Sequence, residues 1–294
     1  MNRFISIILI CIFILSGCGK AESDKKTVVT TVFPPYDFVR QIAGDSIDVK
    51  LLLKPGGDLH SYEPTPQDIK TISECDLFIC TGGENDSWAK NIIEASENKN
   101  ILTMMDCVDV IKDTHDNHES YDEHVWTSPE NAIKISKKIC EELCNIVPEN
   151  AEFYKSNLDL YISKLNELDL KIQDITNNSK RRELIFADPF AMIYFAKKYD
   201  LECFSAFHGC SGEAEADPKT VASLIERINK DNIPVVLYGE FSNQTMADTI
   251  SDATGAEKML FHSCHNLTKE DFASGKTYID IMYGNLDVLK EALN

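Results

Sequence analysis

Residues 149–176 read ENAEFYKSNLDLYISKLNELDLKIQDIT. Within this stretch Phe153, Leu158, Tyr161, Leu165, Leu168 and Ile172 recur every three to five positions, and neither glycine nor proline interrupts them. That spacing predicts one amphipathic helix of about 28 residues, roughly 40 Å long at 1.5 Å rise per residue.

On both sides of this helix the chain alternates between strand and helix patterns. Upstream, the β-branched run Thr27–Phe33 (TVVTTVF) predicts a strand ended by Pro34-Pro35, followed by a helix over Tyr36–Ile42 and a second strand over Ile47–Leu53. Thr65-Pro66-Gln67-Asp68 has the form of a helix start, with Thr as N-cap, Pro in the first turn and Asp completing a capping box. Asp76–Thr81 predicts a short buried strand stopped by Gly82-Gly83. Ser128-Pro129 opens a helix with Ile133, Ile135, Ile139 and Leu143 inward. Downstream, after Lys180-Arg181-Arg182, the predicted elements are a strand at Leu184–Ala187, helices at Ala191–Tyr199 and Val221–Ile228, and a strand at Val235–Tyr238. No internal repeat is visible. The fold class is therefore α/β, with two similar α/β lobes joined by one long rigid helix. The expected boundaries are 27–147 for the first lobe, 148–178 for the connecting helix and 179–294 for the second lobe. A helical connector limits hinge motion compared with a flexible linker.

The N-terminus indicates the compartment. Arg3 precedes an apolar run from Phe4 to Leu15, too short to span a bilayer but suited to the core of a signal peptide. The run ends in Leu15-Ser16-Gly17-Cys18, which resembles the lipobox of bacterial lipoproteins. That resemblance implies a signal peptide at 1–17, lipidation of Cys18, and a polar tether over 18–26. The mature chain is then extracytoplasmic and held on a bacterial membrane by its lipid.

Acidic residues number 48 against 29 basic ones, a net charge of −19, which argues against nucleic acid as a partner and suits a body that attracts cations. Of ten cysteines, Cys11 leaves with the signal and Cys18 is the lipid site, and the remaining eight show no close metal-type pairs. Seven histidines remain as the main chemical signal. His60, His124, His208 and His262 are widely spaced, and no HExxH motif is present. Single ligands far apart in sequence suit a site assembled between lobes from loop ends, where four neutral imidazoles make a closed tetrahedral Zn2+ site.

Two of these histidines stand in longer motifs. Gly56-Gly57-Asp58-Leu59-His60-Ser61-Tyr62-Glu63-Pro64-Thr65-Pro66 resembles the PGxDxHxYEPxP segment of zinc- and manganese-specific solute-binding proteins of ABC importers. Asp122-Glu123-His124-Val125-Trp126-Thr127-Ser128-Pro129 resembles that family's DPHxWLSP segment, with Glu123 in place of Pro and Thr127 in place of Leu. Val29–Phe38, Gly82–Trp88, Thr254-Gly255-Ala256 and Thr277–Leu286 extend the likeness across nearly the whole mature chain. The resemblance implies a metal site at the lobe interface, with His60 and His124 as ligands from the first lobe. In the second lobe it places His208 within a residue or so of the third ligand, where Glu213 and Glu215 compete, and aligns His262 with the fourth, His265 being the reserve. Cys210 and Cys264 flank these last candidates, and the expectation is a disulfide between them, with thiolate ligation as the alternative. His115 and His118, among Asp113, Asp116, Glu119, Asp122 and Glu123, resemble a shortened His-rich loop of zinc-type members.

The function the resemblance implies is a monomeric receptor that captures Zn2+ as cargo, with Mn2+ as the alternative, and delivers it to an ABC permease and its ATPase. No phosphate-binding loop occurs in this chain, so the energy comes from the partner ATPase. Glu63 and Glu240 are expected as buried carboxylates supporting the ligands. The competing readings are a manganese or iron receptor, a surface adhesin, and a lipid-anchored zinc hydrolase, the last lacking any hydrolase motif. An enzyme is not expected.

Overall fold

The computed structural model describes residues 25–58, 61–95, 100–112, 121–207 and 216–294. The first lobe contains β1 (Thr27–Thr30), α1 (Phe33–Ala43), β2 (Asp48–Leu51), α2 (Pro66–Glu74), β3 (Leu77–Cys80), α3 (Ser87–Ala95), β4 (Ile101–Thr103) and α4 (Pro129–Ile146). The connector is α5 (Ala151–Asn177). The second lobe contains β5 (Glu183–Phe186), α6 (Ile193–Lys198), β6 (Glu202–Ser205), α7 (Pro218–Asp231), β7 (Val235–Tyr238), α8 (Thr245–Thr254), β8 (Glu257–Leu260), α9 (Lys269–Ala273) and α10 (Tyr278–Leu293).

Both sheets are four-stranded and wholly parallel, ordered β2-β1-β3-β4 and β6-β5-β7-β8. The two orders are the same, so the lobes repeat one topology although their sequences show no repeat. In open parallel sheets the crevice beyond the carboxyl ends of the strands is where ligands bind, and the loops leaving β2, β5, β7 and β8 here converge on a single cavity.

One expectation is corrected at the start of the chain. The strand stops at Thr30, and Pro34 and Pro35 open helix α1 instead of ending a strand. The first-turn N–H groups of a helix have no partner within it, so proline is tolerated there and its fixed φ suits the helix. The α2 start is as expected, with the Thr65 side chain accepting from the Asp68 amide and Asp68 returning a bond to the Thr65 amide.

Helix α5 buries Tyr154, Tyr161, Leu165, Leu168 and Ile172, and leaves Phe153 exposed. It packs against α1 and α4 of the first lobe and α10 of the second. A single apolar cluster runs from Val28 through α5 to Leu293, so the two lobes share one core along the helix. Asp37 of α1 ties them together as well, its carboxylate accepting the Tyr278 amide at the start of α10 at 2.9 Å.

Candidate metal site between the lobes

A cavity of about 390 Å3 lies between the lobes, with Asp58 and His124 on one side and Asp188, Glu240, Ser263 and His265 on the other. His124 precedes the tight turn Val125–Thr127 that leads into α4, whose N-cap is Ser128. The Asp122 carboxylate accepts the His124 backbone amide at 2.8 Å and faces its ring Nδ1 at 3.2 Å. The Asp122 backbone is held in turn by the Tyr194 hydroxyl of α6, which donates to its carbonyl at 2.7 Å. Trp126 anchors the turn from the other side, donating from Nε1 to the Ser263 carbonyl at 2.8 Å.

His265 is held in a matching way by Glu240, at the end of β7. Glu240 Oε1 lies 3.1 Å from His265 Nδ1, and the same carboxylate accepts from the Ser263 amide at 3.0 Å and the Ser263 hydroxyl at 2.8 Å. Because the Ser263 proton points to Glu240, the serine oxygen 2.9 Å from Nδ1 acts there as an acceptor. Two acceptors facing Nδ1 put the ring proton on that nitrogen and leave the lone pair on Nε2, which is buried without a hydrogen-bond partner. Asp122 fixes the same tautomer on His124. A carboxylate holding Nδ1–H of an imidazole is the arrangement that orients metal-binding histidines and raises their basicity.

His262, expected as the fourth ligand, is placed differently from His265. It does not line the interlobe cavity but a separate one of about 410 Å3, alongside Tyr238, Lys258, Asp271 and Asn285. The Cys264 amide donates to His262 Nδ1 at 2.9 Å, Glu240 Oε1 lies 3.3 Å from the same nitrogen, and Nε2 is buried without a hydrogen-bond partner, as it is in His265. Asn285 pins the His262 backbone through both its amide and its carbonyl. Both histidines follow β8, at two and five residues past its end, and nothing in the sequence separates them. The cavities they line do.

The electrostatics agree with these assignments. Burial disfavours the His124 imidazolium, yet the nearby Asp122, Glu123 and Glu240 outweigh it and hold its pKa above the ordinary value. Burial dominates at His262 and lowers its pKa below the ordinary value, against the pull of Glu240. For Glu240 burial opposes ionisation, but His262, His265 and the Ser263 amide hold its carboxyl well below the usual range. Glu63, expected as a buried carboxylate, is exposed.

His60, His115, His118, His208, Cys210, Glu213 and Glu215 lie outside the described residues, as does Cys18. Asp58 and Phe207, which neighbour His60 and His208 in sequence, both line the interlobe cavity. Among the described residues no three of His, Cys, Asp and Glu come together as a metal-binding group. Cys264 is a free thiol, fully buried in the shared core, and burial pushes its pKa well up. No helix among the described residues is long and apolar enough to cross a membrane.

Residues 28–292 match the family model ZnuA, zinc-uptake complex component A, periplasmic. The zinc-binding lipoprotein AdcA of Streptococcus pneumoniae is 30% identical over 98% of this chain, which spans about 60% of that relative's length. The high-affinity zinc uptake system protein ZnuA of Bacillus subtilis is 30% identical over 98% of this chain and 96% of its own. Among solved structures, the Zn(II)-bound ZnuA-like domain of pneumococcal AdcA superposes with a TM-score of 0.78 at 30% identity, covering 92% of this chain and 99% of that one. The metal-dependent lipoprotein YcdH of Bacillus subtilis gives a TM-score of 0.81 at 31% identity, covering 92% and 100%. The resemblance carried by the two histidine segments and the expected two-lobe α/β fold are both borne out: the chain belongs to the ZnuA family of zinc-uptake solute-binding proteins.

Proposed function

We propose that this chain is an extracytoplasmic zinc receptor that closes Zn2+ between its lobes and passes it to an ABC importer. The observation that carries this reading is the pair of carboxylate–histidine units, Asp122–His124 and Glu240–His265, in which a carboxylate faces Nδ1 of each of two histidines that line one cavity from opposite lobes. His60 and His208 complete the ligand set. Each is within two residues of a cavity-lining neighbour, a reach of at most about 8 Å at 3.8 Å per Cα step. His265 replaces His262 as the fourth ligand.

The donor set favours zinc over manganese. Imidazole nitrogen suits Zn2+, whereas Mn2+ prefers carboxylate oxygen. The two buried carboxylates here are spent on ring nitrogens. Asp122 and Glu240 also supply the negative charge that a dication among neutral imidazoles requires. The relatives' names, a zinc-binding lipoprotein and a zinc uptake protein, support the same cargo.

Within this reading Cys18 carries the lipid anchor, residues 27–147 and 179–294 are the lobes, and 148–178 is the connector. The loaded monomer docks on a permease whose ATPase supplies the energy, and the chain itself catalyses no reaction. The test is calorimetric titration of chelator-stripped protein with Zn2+ and Mn2+. Tight one-to-one Zn2+ binding with weaker Mn2+ binding is expected, and equal or tighter Mn2+ binding would overturn the assignment of cargo.

A further inference from the structure

We infer that Asn266 is a positioning residue that fastens the His265 segment of the second lobe onto the loop of the first lobe that leads to the cavity. The inference rests on the metal-site reading above.

The chain after β8 changes allegiance within a few residues. Up to Ser263 its amides and side chains bond to the second lobe, the Phe261 amide to Tyr238, the His262 backbone to Asn285 and Ser263 to Glu240, while the Ser263 carbonyl already accepts from Trp126 of the first lobe. Cys264 then adopts a left-handed backbone, with φ of 66°. From His265 onward the backbone bonds to the first lobe. The His265 carbonyl accepts the Phe33 amide at 3.2 Å, and the Leu267 carbonyl accepts the Gly56 amide at 2.7 Å.

Asn266 lies at the centre of this junction and is fully buried. Its Nδ2 donates to the Lys54 carbonyl at 2.7 Å and to the Gly57 carbonyl at 2.8 Å, while its Oδ1 accepts the Leu267 amide at 2.8 Å. Both amide protons therefore grip the loop 54–57, whose next residue, Asp58, lines the interlobe cavity. The His265 ring is tied to Glu240 of the second lobe while its backbone is tied to the first. Asn266, which lines neither wall, thus acts beside the Trp126–Ser263 and Tyr194–Asp122 bonds in setting the spacing between the two walls of the cavity. Only a side-chain amide of this length offers two N–H donors and one acceptor without a charge.

The experiment compares the full chain with Asn266→Ala, Gly56→Ala and Asn157→Ala. Gly56 has φ of 84° with open space around an added Cβ, so alanine there perturbs the same junction through backbone strain alone. Asn157 donates to the Ile42 carbonyl at 2.9 Å, a bond between α5 and α1 that does not touch the cavity. Zn2+ affinity is measured by titration, and the visible absorption of the Co2+ form reports coordination geometry. Asn266→Ala is expected to weaken Zn2+ binding by about 10–100-fold, the range seen for supporting residues at metal sites, and to change the Co2+ spectrum. Gly56→Ala shifts both in the same direction, and Asn157→Ala leaves both as in wild type. Wild-type affinity and spectrum in Asn266→Ala and Gly56→Ala would overturn the inference, as would equal losses in all three variants. Failure of the wild-type chain to bind Zn2+ is a separate result, which removes the metal site and this inference with it.

Discussion

Asp37→Asn tests whether the buried link between α1 and α10 carries the energy its surroundings imply. The Asp37 carboxylate is fully buried, accepts from the Tyr278 amide and the Gln41 side chain, and has Arg40 at 4.0 Å as its nearest cation. Burial outweighs these favourable contacts and raises its pKa from the ordinary 3.8 to about 6. A carboxyl whose pKa is raised on folding binds its proton more tightly in the folded state. Its contribution to stability is therefore fully present below pH 3.8 and is lost as pH rises through about 6. At about 1.36 kcal/mol per pH unit, the interval amounts to about 3 kcal/mol. Asparagine keeps the acceptor for Tyr278, can donate to Gln41 once that amide turns, and has no proton to lose. Asp37→Asn should match the wild type near pH 4 and exceed it at pH 7.5. With about 2–4 °C per kcal/mol for a chain of this size, the gain at neutral pH is about 6–12 °C in Tm. Thermal unfolding of chelator-stripped protein across this pH range is the assay. A wild-type-minus-variant difference that does not change with pH would refute the reasoning.

Other variants probe the site and its supports. Asp122→Asn removes the charge that holds His124 in its metal-binding tautomer, and Zn2+ affinity should fall about 10–100-fold in titration. The wild-type site should also lose Zn2+ from a higher pH than the variant as acidity increases, because Asp122 raises the His124 pKa against the effect of burial, and the protonated ring has no lone pair for the metal. Trp126→Phe leaves the buried Ser263 carbonyl without its donor, which should cost about 1–3 kcal/mol of stability in denaturant unfolding. Thr65→Ala breaks the α2 capping box and should cost about 1 kcal/mol in the same assay while leaving Zn2+ affinity unchanged.

The parts of this architecture that were legible in the sequence are those whose signal is local. The α5 stripe, the Thr65 capping box and the Ser128 N-cap all appear where periodicity and capping residues place them, because each rests on contacts a few residues apart. The strands β4, β6 and β8 gave no comparable signal. They are edge strands of three or four residues, and β6 and β8 are only partly buried, so neither carries an apolar run. The Pro34-Pro35 pair signals a boundary equally well from either side, and only the helix that follows shows that it opens α1.

His124 was readable because its whole segment resembles a family motif. That His265 and not His262 lines the interlobe cavity was not, because it depends on how the chain turns after β8. That turn is held by the left-handed Cys264 and by long-range bonds, from Glu240 to Ser263 and His265 and from Asn285 to His262. The expected pairing of Cys264 with Cys210 falls in part outside the described residues. Cys264 itself is enclosed in the shared core and does not line the cavity.

The central claim is that Zn2+ is held between the lobes by the nitrogen opposite the carboxylate on His124 and His265. Crystals of the zinc-loaded protein, with anomalous scattering recorded on both sides of the zinc absorption edge, locate the ion directly. The account predicts one zinc peak in the interlobe cavity at about 2.0–2.1 Å from Nε2 of His124 and of His265. A peak bound by His262, or one in the cavity that His262 lines, would contradict it.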